Sequence, residues 1–159
     1  MKTKFIIVAA LFMCTIIQNG FSQDSTSSKS VNEAGKSKHA IGLVLGTSAG
    51  YGLSYRYTPN RFGAQVTFAP YIEDNYYNIC TGLTFTYDLK NYKYTRLFLY
   101  QSNSLFSTST ESFVNNGVGA GIELISKHQI GTNLMAGYAS YDNLSSINLT
   151  AEIGLFYKF

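Results

Sequence analysis

From His39 to the final Phe159, hydrophobic and polar positions alternate with a period of two, and no stretch holds the i, i+3, i+4, i+7 spacing of an amphipathic helix over three turns. Eight runs of this kind predict eight strands. In the first, Ile41, Leu43 and Leu45 alternate with Ala40, Gly42, Val44 and Gly46; in the second, Tyr51, Leu53, Tyr55 and Tyr57 alternate with Gly52, Ser54 and Arg56. The third sets Phe62, Ala64, Val66 and Phe68 against Gly63, Gln65 and Thr67, and the fourth sets Tyr77, Ile79, Leu83, Phe85 and Tyr87 against Asn78, Cys80, Gly82, Thr84 and Thr86. The fifth, Tyr92 to Gln101, is ambiguous, because Tyr94, Arg96, Phe98 and Tyr100 oppose Thr95, Leu97 and Leu99. In the sixth, Val118, Ala120, Ile122 and Leu124 oppose Gly117, Gly119, Gly121 and Glu123; in the seventh, Ile130, Leu134, Ala136 and Tyr138 oppose Gly131, Asn133, Met135 and Gly137. The eighth is the cleanest, with Ile147, Leu149, Ala151, Ile153, Leu155, Tyr157 and Phe159 against Asn148, Thr150, Glu152, Gly154 and Lys158. Turns are expected at Thr47–Gly50, Thr58–Arg61, Pro70–Asn75, Asp88–Asn91, Ser102–Ser112, Ser126–Gln129 and Asp142–Ser146, with Asn115-Asn116-Gly117 as a further candidate hairpin turn.

Such strands can close with the apolar face inward, as a soluble barrel or sandwich, or outward, as a membrane barrel with a polar lumen. Glycine decides between the two. Twelve of the fourteen glycines lie in the barrel region, and all share the parity of the polar face. Inside a narrow barrel they make room for larger neighbours, whereas on a water-exposed face they would only weaken the strands. Arg56, Arg96, Glu123, Glu152 and Lys158 fall on the same face. An Arg aimed at mid-bilayer lipid costs about 2–4 kcal/mol, which turns Arg96 inward and carries Tyr94 and Phe98 with it, against the glycines of the sixth strand. A luminal ion-pair network of Arg56, Arg96, Glu123 and Glu152 is the resulting expectation. Aromatic residues at outward strand ends, with Tyr57, Phe62, Tyr87, Tyr157 and Phe159 at one rim and Tyr51, Tyr77, Tyr138 and Tyr141 towards the other, suggest two interfacial girdles.

The chain before His39 has a different character. Lys2 and Lys4 precede thirteen mainly apolar residues, Phe5 to Ile17, and then Gln18 to Ser22. That is the pattern of a secretory signal peptide, too short to span a bilayer as a helix, with cleavage expected after Ser22. Cys14 follows bulky Met13, which argues against a lipoprotein anchor. Without the signal, Cys80 is the one cysteine left, so no internal disulfide can form. Residues 23–37 are polar and predict a flexible tail. The expected organisation is a signal peptide over 1–22, that tail, and a barrel over 38–159. Only 13% of the residues are charged, and the net charge of +3 falls to +1 without Lys2 and Lys4, which leaves no basic face for nucleic acid.

The last eight residues, Glu152-Ile153-Gly154-Leu155-Phe156-Tyr157-Lys158-Phe159, resemble the carboxy-terminal signal of outer-membrane barrels, matching it at Glu152, Gly154, Tyr157 and Phe159. Together with the leader and the eight strands, this makes the chain similar to the small barrels of the OmpA, OmpX and OmpW type. The resemblance implies an all-β, closed, antiparallel up-and-down transmembrane barrel in the bacterial outer membrane. It also implies contact with outer-membrane lipid, recognition of the last strand by the barrel-assembly machinery, and both chain ends in the periplasm. Thr58–Arg61, Asp88–Asn91 and Ser126–Gln129 would then be the inner turns, and Ser102–Ser112 the longest external loop. The short outer loops speak against a protruding sheet like that of OmpX.

Motifs that could carry chemistry are few. Gly46-Thr47-Ser48-Ala49-Gly50 spells G-x-S-x-G, but a strand rather than a helix follows, so a hairpin turn is the better reading. Gly117-Val118-Gly119-Ala120-Gly121 fails the dinucleotide pattern, because Ile122 stands where its last glycine belongs. Some outer-membrane barrels modify lipid A with His, Ser and an acid, which singles out His128, Ser126 and Glu123; a loosely placed surface trio is favoured over a triad. No cofactor, and no metal-ligand spacing of His, Cys and acids, is expected. The function expected is therefore non-catalytic, structural or surface-interacting, with a lumen filled by side chains rather than a diffusion pore. The alternatives are a lipid-modifying barrel enzyme and a soluble, lipocalin-like carrier of an apolar ligand.

Overall fold

A computed structural model of the protein describes residues 37–73 and 76–159, so the expected signal peptide and all of the polar tail but Ser37 lie outside the described residues. Eight strands follow one another: β1 (His39–Leu45), β2 (Gly52–Tyr57), β3 (Phe62–Glu73), β4 (Tyr76–Asn91), β5 (Thr95–Thr108), β6 (Ser112–Ile125), β7 (Ile130–Tyr141) and β8 (Ser146–Lys158). Each pairs antiparallel with the next and β8 returns to β1, so the sheet closes into an up-and-down barrel. The turns β2–β3, β4–β5 and β6–β7, together with His39 and Phe159, mark what we term the lower end; the other four connections mark the upper end.

The alternation of the sequence becomes the two faces of the wall. Registers such as Leu43↔Leu53, Leu43↔Leu155 and Ala136↔Ala151 place outward residues beside outward residues around the barrel. Leu43, Leu53, Val66, Leu99, Val118, Leu134, Ile153 and Leu155 are all exposed. Inward, the order is reversed: Ser54, Arg56, Gln65, Thr67, Thr84, Thr86, Arg96, Glu123 and Asn133 are buried. Hydrophilic side chains thus form most of the interior, with one apolar layer of Ala40, Val44, Ala49, Phe98, Tyr100, Met135 and Phe156 among them.

Several boundaries differ from those read off the sequence. Ser102–Ser112 is not a loop: β5 continues to Thr108 and β6 begins at Ser112, with Ser102↔Gly117, Ser104↔Asn115 and Phe106↔Phe113 in register. Asn115-Asn116-Gly117 accordingly lies inside β6 rather than in a turn. Pro70 and Ile72 lie in β3, paired with Ile79 and Tyr77 of β4. The β2–β3 pairing has already ended at Leu53↔Phe68, so proline sits where a missing N–H interrupts no ladder to β2. At the lower end β4 runs past the expected turn to Asn91 through a bulge between Asp88 and Lys90. The upper loops are short because they cap long strands; β3 to β6 continue beyond the last β1–β2 pair, Val44↔Gly52.

The largest departure is the β1–β2 connection. Instead of a hairpin turn at the rim, residues 46–50 fold back into the lumen, where Ser48, Ala49 and Gly50 are buried. Gly50 and Gly52 carry φ of 80° and 125°, values that side-chain-bearing residues adopt only under strain, and these two positions let the chain double back. The opposite wall makes room. A Cβ on Gly82 would stand 2.0 Å from the Ala49 carbonyl oxygen, and one on Gly117 would stand 2.2 Å from Ser48 Oγ.

Candidate functional site

Two polar clusters fill the lumen, one at each end, with the larger apolar side chains Phe98, Tyr100, Met135 and Phe156 between them. The lower cluster is built on Glu123 of β6, which is wholly buried and whose two carboxylate oxygens meet three cations. Arg56 Nη1 from β2 donates to Oε1 at 3.1 Å, while Arg96 Nη1 from β5 and Lys158 Nζ from β8 reach Oε2 at 2.9 and 3.3 Å. Arg96 also pairs with Asp88 of β4 through Nε and donates to Thr86 through Nη2; Arg56 donates to Gln65 Oε1 from both Nε and Nη2. Both guanidinium groups lie over rings, Arg56 3.9 Å from the centroid of Phe156 and Arg96 4.6 Å from that of Phe98. Bidentate donors, charged acceptors and stacked faces keep these arginines in one orientation.

The rings need the glycines of the wall. A Cβ on Gly121 would lie 2.4 Å from Phe98 Cζ, and one on Gly119 would lie 2.8 Å from Tyr100 Cε1, so bare backbone on β6 accommodates the inward side of β5. Phe98 and Tyr100 are buried, on the same face as Arg96.

Glu152 stands apart from the arginines. It is inward on β8 but belongs to the upper cluster, where its Oε1 accepts the Ser48 hydroxyl and the backbone N–H groups of Ser48 and Ala49 at 3.2 and 3.1 Å. The returning β1–β2 segment is held from other sides as well. Ser104 Oγ and Asn115 Nδ2 donate to the Thr47 carbonyl at 3.1 and 3.0 Å, Ser48 Oγ shares a 2.8 Å hydrogen bond with Ser102, and Thr47 Oγ1 shares one of 2.9 Å with the Tyr141 hydroxyl. Two tyrosines expected in the upper girdle therefore turn elsewhere: Tyr141 bonds to this segment, and the Tyr51 ring lies 5.8 Å from that of Phe106. Tyr57, Phe62, Tyr87, Tyr157 and Phe159 are exposed at the lower rim, and Tyr77 and Tyr138 are exposed towards the upper one.

Sequence reasoning misses Ser48, Asp88 and Gln65 as site residues, although the pattern carries the signal for Asp88 and Gln65. Gln65 shares the parity of Gly63 and Thr67, and Asp88 is the next inward step after Thr84 and Thr86. The trio of Ser126, His128 and Glu123 does not assemble into a relay. Glu123 is taken up by three cations, and Ser126 Oγ accepts the His128 backbone N–H at 3.0 Å. Ser48, the serine of the G-x-S-x-G motif, is fully buried, its hydroxyl engaged by Glu152 of β8 and Ser102 of β5. Among the described residues no cluster of His, Cys, Asp and Glu could hold a metal ion.

No protein-family model and no curated protein matches the sequence. Solved structures do. The N-terminal β-barrel domain of Pseudomonas aeruginosa OprF is similar with a TM-score of 0.51 and 14% identity, over 76% of this chain and 95% of that one. Neisserial surface protein A (NspA) gives 0.46 and 14% over 76% and 94%, and Ail, the attachment invasion locus protein of Yersinia pestis, gives 0.38 and 19% over 76% and 93%. The closed eight-stranded antiparallel barrel of this chain is thus the fold of the small outer-membrane barrels.

Proposed function

We propose that the protein is a non-catalytic barrel of the bacterial outer membrane, with a structural or surface-interaction role. The observation that carries this reading is the continuous apolar outer wall around a polar, filled interior. Lipid offers no hydrogen-bond partners, so a spanning sheet must close on itself and face outward with apolar side chains. The height also fits. Ile147 to Tyr157 on β8 spans ten residue steps, about 33 Å of strand, which at a tilt of about 40° stands close to 25 Å along the membrane normal. An apolar-ligand carrier would need the opposite arrangement, with its aliphatic residues inside.

Three stacked obstructions support a closed lumen rather than a diffusion pore: the Arg–Glu cluster, the layer of Phe98, Tyr100, Met135 and Phe156, and the inserted β1–β2 segment. The cleaved leader over residues 1–22 and recognition by the barrel-assembly machinery belong to the same proposal. Of the four matching residues, Tyr157 and Phe159 are exposed at the lower rim, and Gly154 and Glu152 are inward on β8, the strand that closes the barrel onto β1. Cell fractionation with a gel-mobility comparison tests the proposal. The chain should sediment with outer membranes, and unheated detergent samples should migrate differently from heated ones. Recovery in soluble periplasm with no mobility difference would contradict it.

A further inference from the structure

The lower mouth of the barrel is a recess lined by Lys38, Arg56, Thr58, Asp88, Arg96 and Lys158, beside His39. We infer that this recess is a binding site for a phosphate group. Four cationic side chains face two carboxylates there, Asp88 on the wall and Glu123 behind the arginines, which leaves two positive charges in excess. Lys38 carries its charge at the exposed edge and the other three cations lie deeper, so the recess presents net positive charge that an anion balances, and phosphate oxygens suit the guanidinium forks.

The donors are in place to receive it. A guanidinium has five N–H groups. In both Arg56 and Arg96 the described partners take one N–H at Nε, one at Nη1 and one at Nη2, which leaves two N–H groups on each arginine uncommitted. The two arginine side chains are 2% exposed and held against Phe156 and Phe98, so little freedom is lost when an anion arrives. Lys158, partly buried, and Lys38, at the open edge, add compact charges around these forks. Thr58 N–H donates to the Lys38 carbonyl at 2.7 Å, which fixes the backbone of Lys38 at the rim. The phosphate could be free in solution or belong to a lipid headgroup, since His39, Tyr57 and Phe159 form an aromatic cluster at the same rim.

The experiment titrates the folded chain, in phosphate-free zwitterionic micelles at constant ionic strength, with inorganic phosphate in one arm and with short-chain phosphatidic acid in the other, reading heat by calorimetry and line width by phosphorus NMR. Saturable binding is expected in at least one arm, and the arm that shows it identifies the source. Lys38→Gln, at an exposed position, and Lys158→Gln should each weaken binding about tenfold. Lys93→Gln, at the same end but outside the recess, should leave it unchanged. Absence of saturable binding in both arms would overturn the inference, as would equal loss in Lys93→Gln and Lys38→Gln.

Discussion

Replacing Glu123 by glutamine keeps the volume of the side chain and removes only its charge, which leaves Arg56, Arg96 and Lys158 around a neutral amide. At an effective dielectric of about 20, each contact near 3 Å corresponds to roughly 5 kcal/mol of attraction, much of it offset because a buried carboxylate is itself desolvated. The net penalty for orphaning a buried charge partner is about 3–5 kcal/mol; Arg96 keeps Asp88, but Arg56 and Lys158 lose the one carboxylate each is paired with, which places Glu123→Gln within that range. The chain has no tryptophan but thirteen tyrosines, so urea unfolding in micelles can be followed by tyrosine fluorescence together with the heat-sensitive gel band. A second substitution sharpens the test. Arg56→Gln on the Glu123→Gln background removes one of the stranded cations, and the two losses should fall short of additivity by about 1–3 kcal/mol. A change of less than about 0.5 kcal/mol in Glu123→Gln, or strict additivity in the double variant, would refute the view that this carboxylate holds four strands together.

Three further outcomes follow from the same packing. Gly82→Ala drives a Cβ against the Ala49 carbonyl, so it should destabilise by about 1–3 kcal/mol. It should also make a cysteine at Ser48 reactive to a water-soluble maleimide that does not reach it otherwise; unchanged labelling would show that the inserted segment is not held by that wall. Gly121→Ala should be similarly disruptive because of the Phe98 ring, and Phe98→Leu should restore part of the loss, whereas no rescue would contradict the ring-on-glycine contact. On the outer wall, Val66→Arg should cost about 2–4 kcal/mol and Phe62→Arg, at the lower rim, about 0–1 kcal/mol. Equal values in micelle or vesicle unfolding would mean that depth along β3 does not matter.

The parts of this fold that the sequence makes legible are those where the two faces of a strand differ. β8 reads cleanly because every outward position from Ile147 to Phe159 is apolar or aromatic and every inward position from Asn148 to Lys158 other than Phe156 is polar or glycine. β5 is ambiguous by hydrophobicity alone, and the expense of Arg96 in lipid resolves it; Phe98 and Tyr100 follow by parity. Higher on β5 the contrast vanishes, with Gln101 and Asn103 on one face and Ser102 and Ser104 on the other, so strand reads as loop. Parity also carries no information about height. Glu152 lies six residues above Lys158 on β8, which puts it beside Ser48 rather than beside the arginines. Nothing within Gly46-Thr47-Ser48-Ala49-Gly50 separates a rim hairpin from an inward fold, because the space for it is made by Gly82 and Gly117 on distant strands.

The claim on which the rest depends is that the aliphatic wall touches acyl chains while the polar face does not. Spin labels at Leu43, Val66 and Ile153, compared with labels at Thr67, Thr84 and Thr150 in lipid vesicles, measure this through relaxation by oxygen and by a water-soluble nickel chelate. High oxygen and low nickel accessibility at the first three positions, with little oxygen relaxation at the others, is the predicted result. Shielding of Leu43, Val66 and Ile153 from acyl chains, with the threonine positions in contact with them, would contradict the account.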